Sequence, residues 1–283
     1  MNGRQRGIAL ISVLLVMSLA LLITGGLLRS HRLSLQSSGQ AVQHVHLRQW
    51  AMAGETWALL QLQEAASASR ATVDLTQDWA RMSPDFDIEG AQLHVGIEDL
   101  AGRFNLNALL RQGRIDQVTL NRWGRLLERL ELAPLSLSQV GVLNELSQLR
   151  LLPGVDGQLL RRLEPWVALL PTDAALNINT APALLLRTLE DLEIATVDAL
   201  IRQRTIAAWP SVQAFTQEPL LRGAGLGSHG LGVGSRWFRI TVQVTQGQSR
   251  LRLATDVEQD PDTRQFKVLQ RRLLPSSANE MPQ

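Results

Sequence analysis

The placement of apolar and polar positions divides the chain into a greasy N-terminal rod, a polar helical stretch, strand-like alternation near both ends of the remainder, and a helical middle. No Asp, Glu, Lys or Arg interrupts the run from Ile8 to Leu28, and a basic leader, Met1-Asn2-Gly3-Arg4-Gln5-Arg6-Gly7, precedes it. At 1.5 Å per residue, about twenty helical residues reach roughly 30 Å, enough to cross a hydrocarbon core. A secretory signal has an apolar core of about 7–15 residues, then small residues at a cleavage site. This run is longer, and Arg29-Ser30-His31-Arg32 after it has no Ala-x-Ala pattern. The pattern predicts a retained membrane helix.

From Arg29 to Ala68 there is no Pro, and Gly occurs only at Gly39 and Gly54. Trp50, Ala53, Trp57, Leu60 and Glu64 recur at helical spacing, with Leu59 and Leu62 beside them. The anchor and this segment therefore read as one long helix, its lower half in lipid and its upper half on a soluble domain. Pro84 and Asp85-Phe86-Asp87 read as a loop. Leu93, Val95 and Ile97 then alternate with Gln92, His94 and Gly96, which predicts a half-buried strand. Three more sets alternate near the C-terminus: Phe238, Ile240, Val242 and Val244; Leu251, Leu253 and Thr255; Phe266, Val268 and Leu269. The middle, from Ala108 to Gly223, reads almost wholly helical. Strands from both ends of the chain thus form one domain, interrupted by a helical insertion. The expected organisation is a leader (1–7), a membrane and bundle helix (8–28), a first domain part (29–107), the insertion (108–223), a second domain part (224–275) and a flexible tail (276–283).

Two phrases in the sequence echo each other. Phe104-Asn105-Leu106-Asn107-Ala108 is repeated as Leu176-Asn177-Ile178-Asn179-Thr180-Ala181. Asn side chains bond backbone groups two residues on and fix turns before helices. Thr180 suits an N-cap and Pro182 a first turn, for a helix from Ala183 to Leu192. These residues read as structural rather than catalytic.

Composition narrows the function classes. Net charge is +2, although the sequence pI is about 10.2. Tyr and Cys are absent and Lys267 is the only lysine, so few groups titrate between neutrality and the arginines. The high pI is therefore a poor argument for nucleic acid. Without Cys there are no disulfides or thiolate metal sites, which is permissive of the periplasm. His31, His44, His46, His94 and His229 form no recognisable catalytic set, and HExxH, GxSxG and a Walker loop are absent. The glycine-rich tract from Gly223 to Gly234 lacks a Lys-Ser/Thr ending and reads as a flexible return loop to the sheet. Arg4 and Arg6 before the apolar run and Arg29 and Arg32 after it leave orientation open.

Arg6-Gly7-Ile8-Ala9-Leu10-Ile11-Ser12-Val13-Leu14-Leu15 resembles the N-terminus of type IV pilin-like proteins. That resemblance implies prepilin-peptidase cleavage between Gly7 and Ile8 and methylation of the new N-terminus at Ile8. A plain single-pass anchor is the alternative reading of the apolar run. Most pilins carry Glu at the fifth mature position, where it neutralises the neighbouring subunit's ammonium. Here that position is Ser12, which suits a subunit with no neighbour above it.

The runs Glu98-Asp99-Leu100-Ala101-Gly102-Arg103-Phe104-Asn105-Leu106-Asn107, Leu149-Arg150-Leu151-Leu152-Pro153-Gly154-Val155 and Leu176-Asn177-Ile178-Asn179-Thr180-Ala181 add to this. With the Ser12-type leader, they make the chain similar to the K-type minor pseudopilins of type II secretion systems, the general secretion pathway protein K family. The resemblance spans nearly the whole chain. It implies an α+β, type IV pilin-like fold, with a long N-terminal helix on a small antiparallel sheet and an inserted all-α domain. Gly102, Arg103, Phe104, Asn105, Asn107, Asn177, Asn179 and Thr180 fall in its motifs. It further implies an inner-membrane protein with a cytoplasmic N-terminus and a periplasmic domain, at the tip of a pseudopilus that helps export folded proteins. The implied partners are the I- and J-type minor pseudopilins, other pseudopilins, the inner-membrane platform and the prepilin peptidase. The chain would be a substrate of that enzyme and no enzyme itself.

Family members often hold calcium in an Asp-rich loop of the insertion. The corresponding stretch here, Glu131 to Glu145, contains no Asp. Glu131, Asn144 and Glu145 do not supply the six to eight oxygens calcium takes. No metal or cofactor is expected, and Asp156 and Glu190-Asp191-Glu193 read as charged solvent faces. The rival is a membrane-anchored helix-hairpin-helix DNA-binding or uptake protein, from Asn177-Ile178-Asn179-Thr180-Ala181 followed by Leu184, Leu189, Ala199, Leu200, Ile201 and Arg204. Its hairpin, Asp191-Leu192-Glu193-Ile194-Ala195-Thr196, has carboxylates and no Gly, which opposes phosphate. Leu152-Pro153-Gly154-Val155-Asp156-Gly157 has the glycines, but also Asp156. Nucleic acid is accordingly not an expected partner.

Overall fold

The computed structural model describes residues 3–67, 72–82, 84–111, 114–137, 141–190 and 192–275; the side chains of residues 3–12, 28, 31–41 and 111 lie outside the description. The chain divides into two compact units, Met1–Trp50 and Ala51–Gln283. Helix α1 runs Gly3–Ser67 without a break, as the lack of Pro and the scarcity of Gly in the sequence predict. In the first unit the apolar side chains stand out from the helix, Leu21 at 72% and Leu22 at 74% exposure. Among the described residues no helix is long and apolar enough to cross a membrane. The run expected to do so lies only partly among them, because the side chains of residues 8–12 and 28 are outside.

The second unit is built on an antiparallel sheet in the order β1-β2-β9-β10-β11. Its strands are β1 (Asp85–Ile88), β2 (Ala91–Asp99), β9 (Trp237–Gln246), β10 (Ser249–Gln259) and β11 (Phe266–Leu274). The expected strands are all present, and β1 is an addition. The acidic Asp85-Phe86-Asp87 after Pro84 predicts a loop, and the structure has a strand there. Phe86 and Ile88 are half-buried between exposed Asp85 and Asp87, and the segment pairs with β2 through Phe86↔Leu93 and Ile88↔Ala91. Acidic residues on a short outer strand blunt a sheet edge, so charge there is compatible with pairing. Glu89 (φ 52°) and Gly90 (φ 77°) close this hairpin in the left-handed region that a two-residue turn requires.

The remaining segments of α1 and the sheet pack face to face. The buried stripe of the helix is Ala51, Gly54, Glu55, Ala58 and Leu62. This corrects the face read from periodicity: Ala53, Leu60 and Glu64 are exposed, and Trp57 is half-buried with its ring edge-on to Phe86 at 5.5 Å. Small residues win the inner face because the helix lies close on the sheet. A Cβ on Gly54 would stand 2.9 Å from Val242 Cγ1 and 3.2 Å from Val95 Cγ2. Valine side chains are stiff and cannot yield cheaply. Gly54→Leu should therefore destabilise the protein by about 2 kcal/mol, overpacking outweighing a helix-propensity gain of about 1 kcal/mol. Urea unfolding of the full chain in detergent measures it; an unchanged midpoint would contradict the packing.

Between β2 and β9 the chain folds around its own core. It carries helices α3 (Gln117–Arg129), α4 (Gly157–Leu163), α5 (Ala183–Leu186), α6 (Ile194–Ile206) and α7 (Val212–Thr216) with short 3-10 turns, while the one-turn helix α2 (Asp78–Arg81) precedes β1. Trp123, Leu126, Leu149, Leu163, Ile178, Leu185, Leu189, Leu200 and Phe215 are almost fully buried in one cluster. The middle is not wholly helical as expected. β3 (Phe104–Asn105) pairs in parallel with β6 (Val167–Ala168), and β7 (Leu176–Asn177) with β8 (Leu231–Gly232); β4 (Leu110–Arg111) and β5 (Arg114–Ile115) pair antiparallel. Two-residue strands carry no alternation a sequence pattern could register. β8 also lies inside the glycine-rich tract, so that tract is partly a sheet element and not only a return loop.

Candidate functional site

The residues singled out in the two phrases converge on a set of backbone clamps. In the first phrase, Asn105 Oδ1 accepts from the amides of Asn107 (3.1 Å) and Leu170 (3.1 Å), while its Nδ2 donates to the Pro171 carbonyl (2.7 Å). Asn107 grips one residue by both backbone groups: Oδ1 accepts from Leu143 N (2.7 Å) and Nδ2 donates to Leu143 O (2.9 Å). In the second phrase, Asn177 Oδ1 accepts from Asn179 N (3.1 Å). Asn179 then grips Trp209 in the same double manner, at 3.0 Å each way. All four asparagines are buried. Each first Asn turns the chain, and each second Asn fastens a segment some thirty residues away. A carboxamide offers a donor and an acceptor side by side, matching the C=O and N–H of one extended residue.

Asp99 joins the second phrase to the end of β2. Its side chain is buried and accepts from Ala101 N (2.8 Å), Asn177 Nδ2 (2.8 Å) and Thr180 Oγ1 (2.6 Å). Burial pushes its carboxyl above the usual range against the opposing pull of these donors. Asn177 Nδ2 also donates to Val73 O at 2.9 Å. Thr180, expected to cap the next helix, instead spends its hydroxyl on Asp99. Pro182 occupies the cap position of α5 without a side-chain bond. That helix is also shorter than the expected span to Leu192. Thr188 donates its hydroxyl to Leu185 O (2.6 Å), and Glu190 turns left-handed (φ 49°). Sequence reasoning did not select Asp99, although an acid closing an apolar strand beside Gly102 was visible in it.

Gly102 lies against Thr180: a Cβ there would be 2.8 Å from Thr180 Oγ1 and 3.1 Å from its carbonyl carbon. Arg103 forms a bidentate pair with Glu98 and donates from Nη1 to Glu164 O at 2.8 Å. Phe104 is buried, its ring centroid 5.5 Å from that of Trp123. Of the leader residues, Gly7, Ile8 and Ser12 belong to α1, and their side chains lie outside the described ones.

The features invoked for other functions are engaged structurally. Arg204, part of the DNA-binding reading, is 5% exposed, and its Nη1 donates to Ile178 O (2.9 Å) and Ala181 O (2.7 Å). Burial pushes its guanidinium down to about 10. Glu190 pairs with Arg125 at 3.5 Å, and Asp191 lies outside the described residues. Asp156 caps α4 by accepting from Leu159 N at 2.8 Å, and Glu145 forms a capping box with Gln148. Among the described residues no group of three or more His, Asp or Glu side chains is placed to hold a metal ion.

A second charged tie was not foreseen. Glu55, on the buried stripe of α1, accepts from Thr255 Oγ1 (2.6 Å) and from Arg271 Nη2 (2.7 Å) and Nε (2.9 Å). Burial would raise its carboxyl, but the bonds from Arg271 and Thr255 outweigh it and hold it below the usual range.

Comparison with known proteins places this architecture. The profile of a family described as "Type II secretion system (T2SS), protein K" matches residues 176–234, from the second Asn phrase through the glycine-rich tract. The chain is 28% identical to Type II secretion system protein K of Pseudomonas aeruginosa, over 93% of this chain and 91% of that one. It is also 28% identical to the protein of that name from Klebsiella pneumoniae, over 96% and 97% respectively. Its fold is similar to a chain in the crystal structure of the GspK-GspI-GspJ complex from enterotoxigenic Escherichia coli, with a TM-score of 0.71 at 22% identity, covering 85% of this chain and all of that one. The likeness supports the α+β fold, and these relatives do not favour the DNA-binding alternative.

Proposed function

We propose that this chain, which belongs to the type II secretion system protein K family, is a minor pseudopilin at the tip of the pseudopilus, where it helps start assembly and supports export of folded proteins across the outer membrane. The observation that carries the reading is the leader: Gly7 before an uncharged apolar run, with Ser12 where an acid would meet an overlying subunit's ammonium. In lipid an unpaired carboxylate is costly, so a topmost subunit does better without one.

The prepilin peptidase cuts between Gly7 and Ile8, the new amine of Ile8 is methylated, and the helix from Ile8 to Leu28 stays in the inner membrane. The N-terminus is then cytoplasmic and the second unit periplasmic. That unit consists of the strand-bearing domain and the segment 108–223 inserted in it, whose bulk leaves no seat for a further subunit. I- and J-type minor pseudopilins are its partners in the tip; the structurally similar chain was solved in a complex with proteins of those names. The buried phrases act as scaffold, and the chain carries out no catalysis.

Gly7→Asp tests the reading. A side chain at the peptidase site should abolish processing, so the variant keeps its leader, migrates as the precursor with or without peptidase, and fails to restore secretion in a strain lacking the wild-type protein. Normal processing and secretion by this variant would overturn the proposal.

A further inference from the structure

A cavity of about 330 Å³ lies beside α3 and is lined by Phe104, Thr119, Arg122, Thr188, Asp173 and Leu231 among others. That volume is at the small end of ligand pockets, which combine apolar walls with a few placed polar groups. Its unusual member is Arg122. The residue is 5% exposed, yet it enters no ion pair among the described residues. Nη1 donates to the His229 carbonyl (2.7 Å), and Nε is buried without a hydrogen-bond partner. The carboxylates nearby are engaged or solvated: Asp116 bonds His229 Nε2 at 2.6 Å, Glu190 pairs with Arg125 at 3.5 Å, and Asp173 is exposed at the rim. Buried charges are ordinarily paired, because an isolated one costs far more than a neutral polar group. Gly230 adopts a left-handed φ of 67° beside the guanidinium, where a side chain would be strained.

We infer that this cavity is a binding site for a carboxylate, received by the Arg122 guanidinium, with Phe104 and Leu231 as apolar walls. A guanidinium is a well-matched partner for that group, and Nη2 is the donor left open once Nη1 has bonded the His229 carbonyl. Burial, with the like charge of Arg125, pushes the Arg122 guanidinium below its ordinary value against the pull of the Glu190 and Asp116 carboxylates. The inference does not depend on where the chain sits in a filament.

Glutarate and acetate are the probes, with chloride at matched ionic strength as reference and the full chain in detergent. At ten times the half-saturating concentration, glutarate should raise the melting temperature of the wild-type chain by about 4 °C. Arg122→Met should lose the rise. Ala108→Leu, which narrows the cavity but leaves Arg122 in place, should weaken it at least tenfold in concentration and keeps the test alive if the first variant does not fold. In arginine-labelled protein the Arg122 Nε–H resonance should shift on titration with glutarate and not with chloride. A heptapeptide with a free C-terminal carboxylate, compared with its amide, separates the sources. Selective binding of the acid peptide assigns the site to a chain terminus, and equal response to acetate and glutarate assigns it to free anions. No stabilisation and no Nε–H shift with any carboxylate, or equal stabilisation of Arg122→Met, would overturn it.

Discussion

Asp99→Ala should lower the unfolding free energy by about 4 kcal/mol. Three donors face that carboxylate: the Ala101 amide, Asn177 Nδ2 and the Thr180 hydroxyl. A buried donor left without a partner costs about 1–3 kcal/mol, and the methyl of alanine satisfies none of them. Asn177 retains its bond to Val73 O, which keeps the total below a simple sum. The loss should have a pH signature. Burial holds the folded-state pKa of Asp99 above its value of 3.8 in an unfolded chain. Its contribution is then fully present below that value and declines as pH rises through the folded-state value. The difference between wild type and variant should therefore narrow as pH rises. Urea unfolding of both chains across that range decides it; a loss below about 1 kcal/mol would mean the carboxylate is no keystone.

Arg271→Ala should cost about 3 kcal/mol at pH 7, with the opposite reason behind its pH dependence. Arg271 is 46% exposed and gives up little by itself, but the Glu55 side chain is 4% exposed and would keep only the Thr255 hydroxyl. Removing one partner of a buried pair strands the other's charge, at about 3–5 kcal/mol; the exposed arginine puts this case at the low end. In the wild type the Glu55 carboxyl is held below 4.5, so its stabilisation is present above the unfolded value and lost as pH falls through the folded one. Without Arg271, burial should carry the carboxyl above 4.5, and protonation would relieve the stranded charge. The penalty should then shrink toward pH 4. A deficit of equal size at pH 7 and pH 4 would show that lost packing of the arginine stem, not stranded charge, is the cause.

These two ties mark where the sequence was hard to read. Each brings together residues far apart in the chain, Glu55 with Arg271 and Asp99 with Thr180. A local pattern carries no sign of such pairing. The same limit explains Thr180, whose position before Pro182 has every mark of an N-cap until an acid from β2 claims its hydroxyl. The helix face was misread for a related reason. Trp50, Trp57 and Leu60 dominate a hydrophobic count, whereas a helix lying close on a sheet needs Ala51, Gly54 and Ala58 inward. Strand β1 escaped notice because its Asp residues resemble a turn until its position at the sheet edge is known.

What the sequence determined by itself is whatever repeats at the period of one element. The unbroken run of α1 and the alternating strands β2, β9, β10 and β11 follow from side chains whose spacing meets one face. The doubled Asn phrase was legible as well, because an Asx turn needs only its own neighbours. Tertiary structure alone decided what those asparagines fasten, which face of α1 is buried, and which acid each buried donor meets. Those outcomes depend on contacts between distant segments, and a buried polar group has no fixed partner until the fold supplies one.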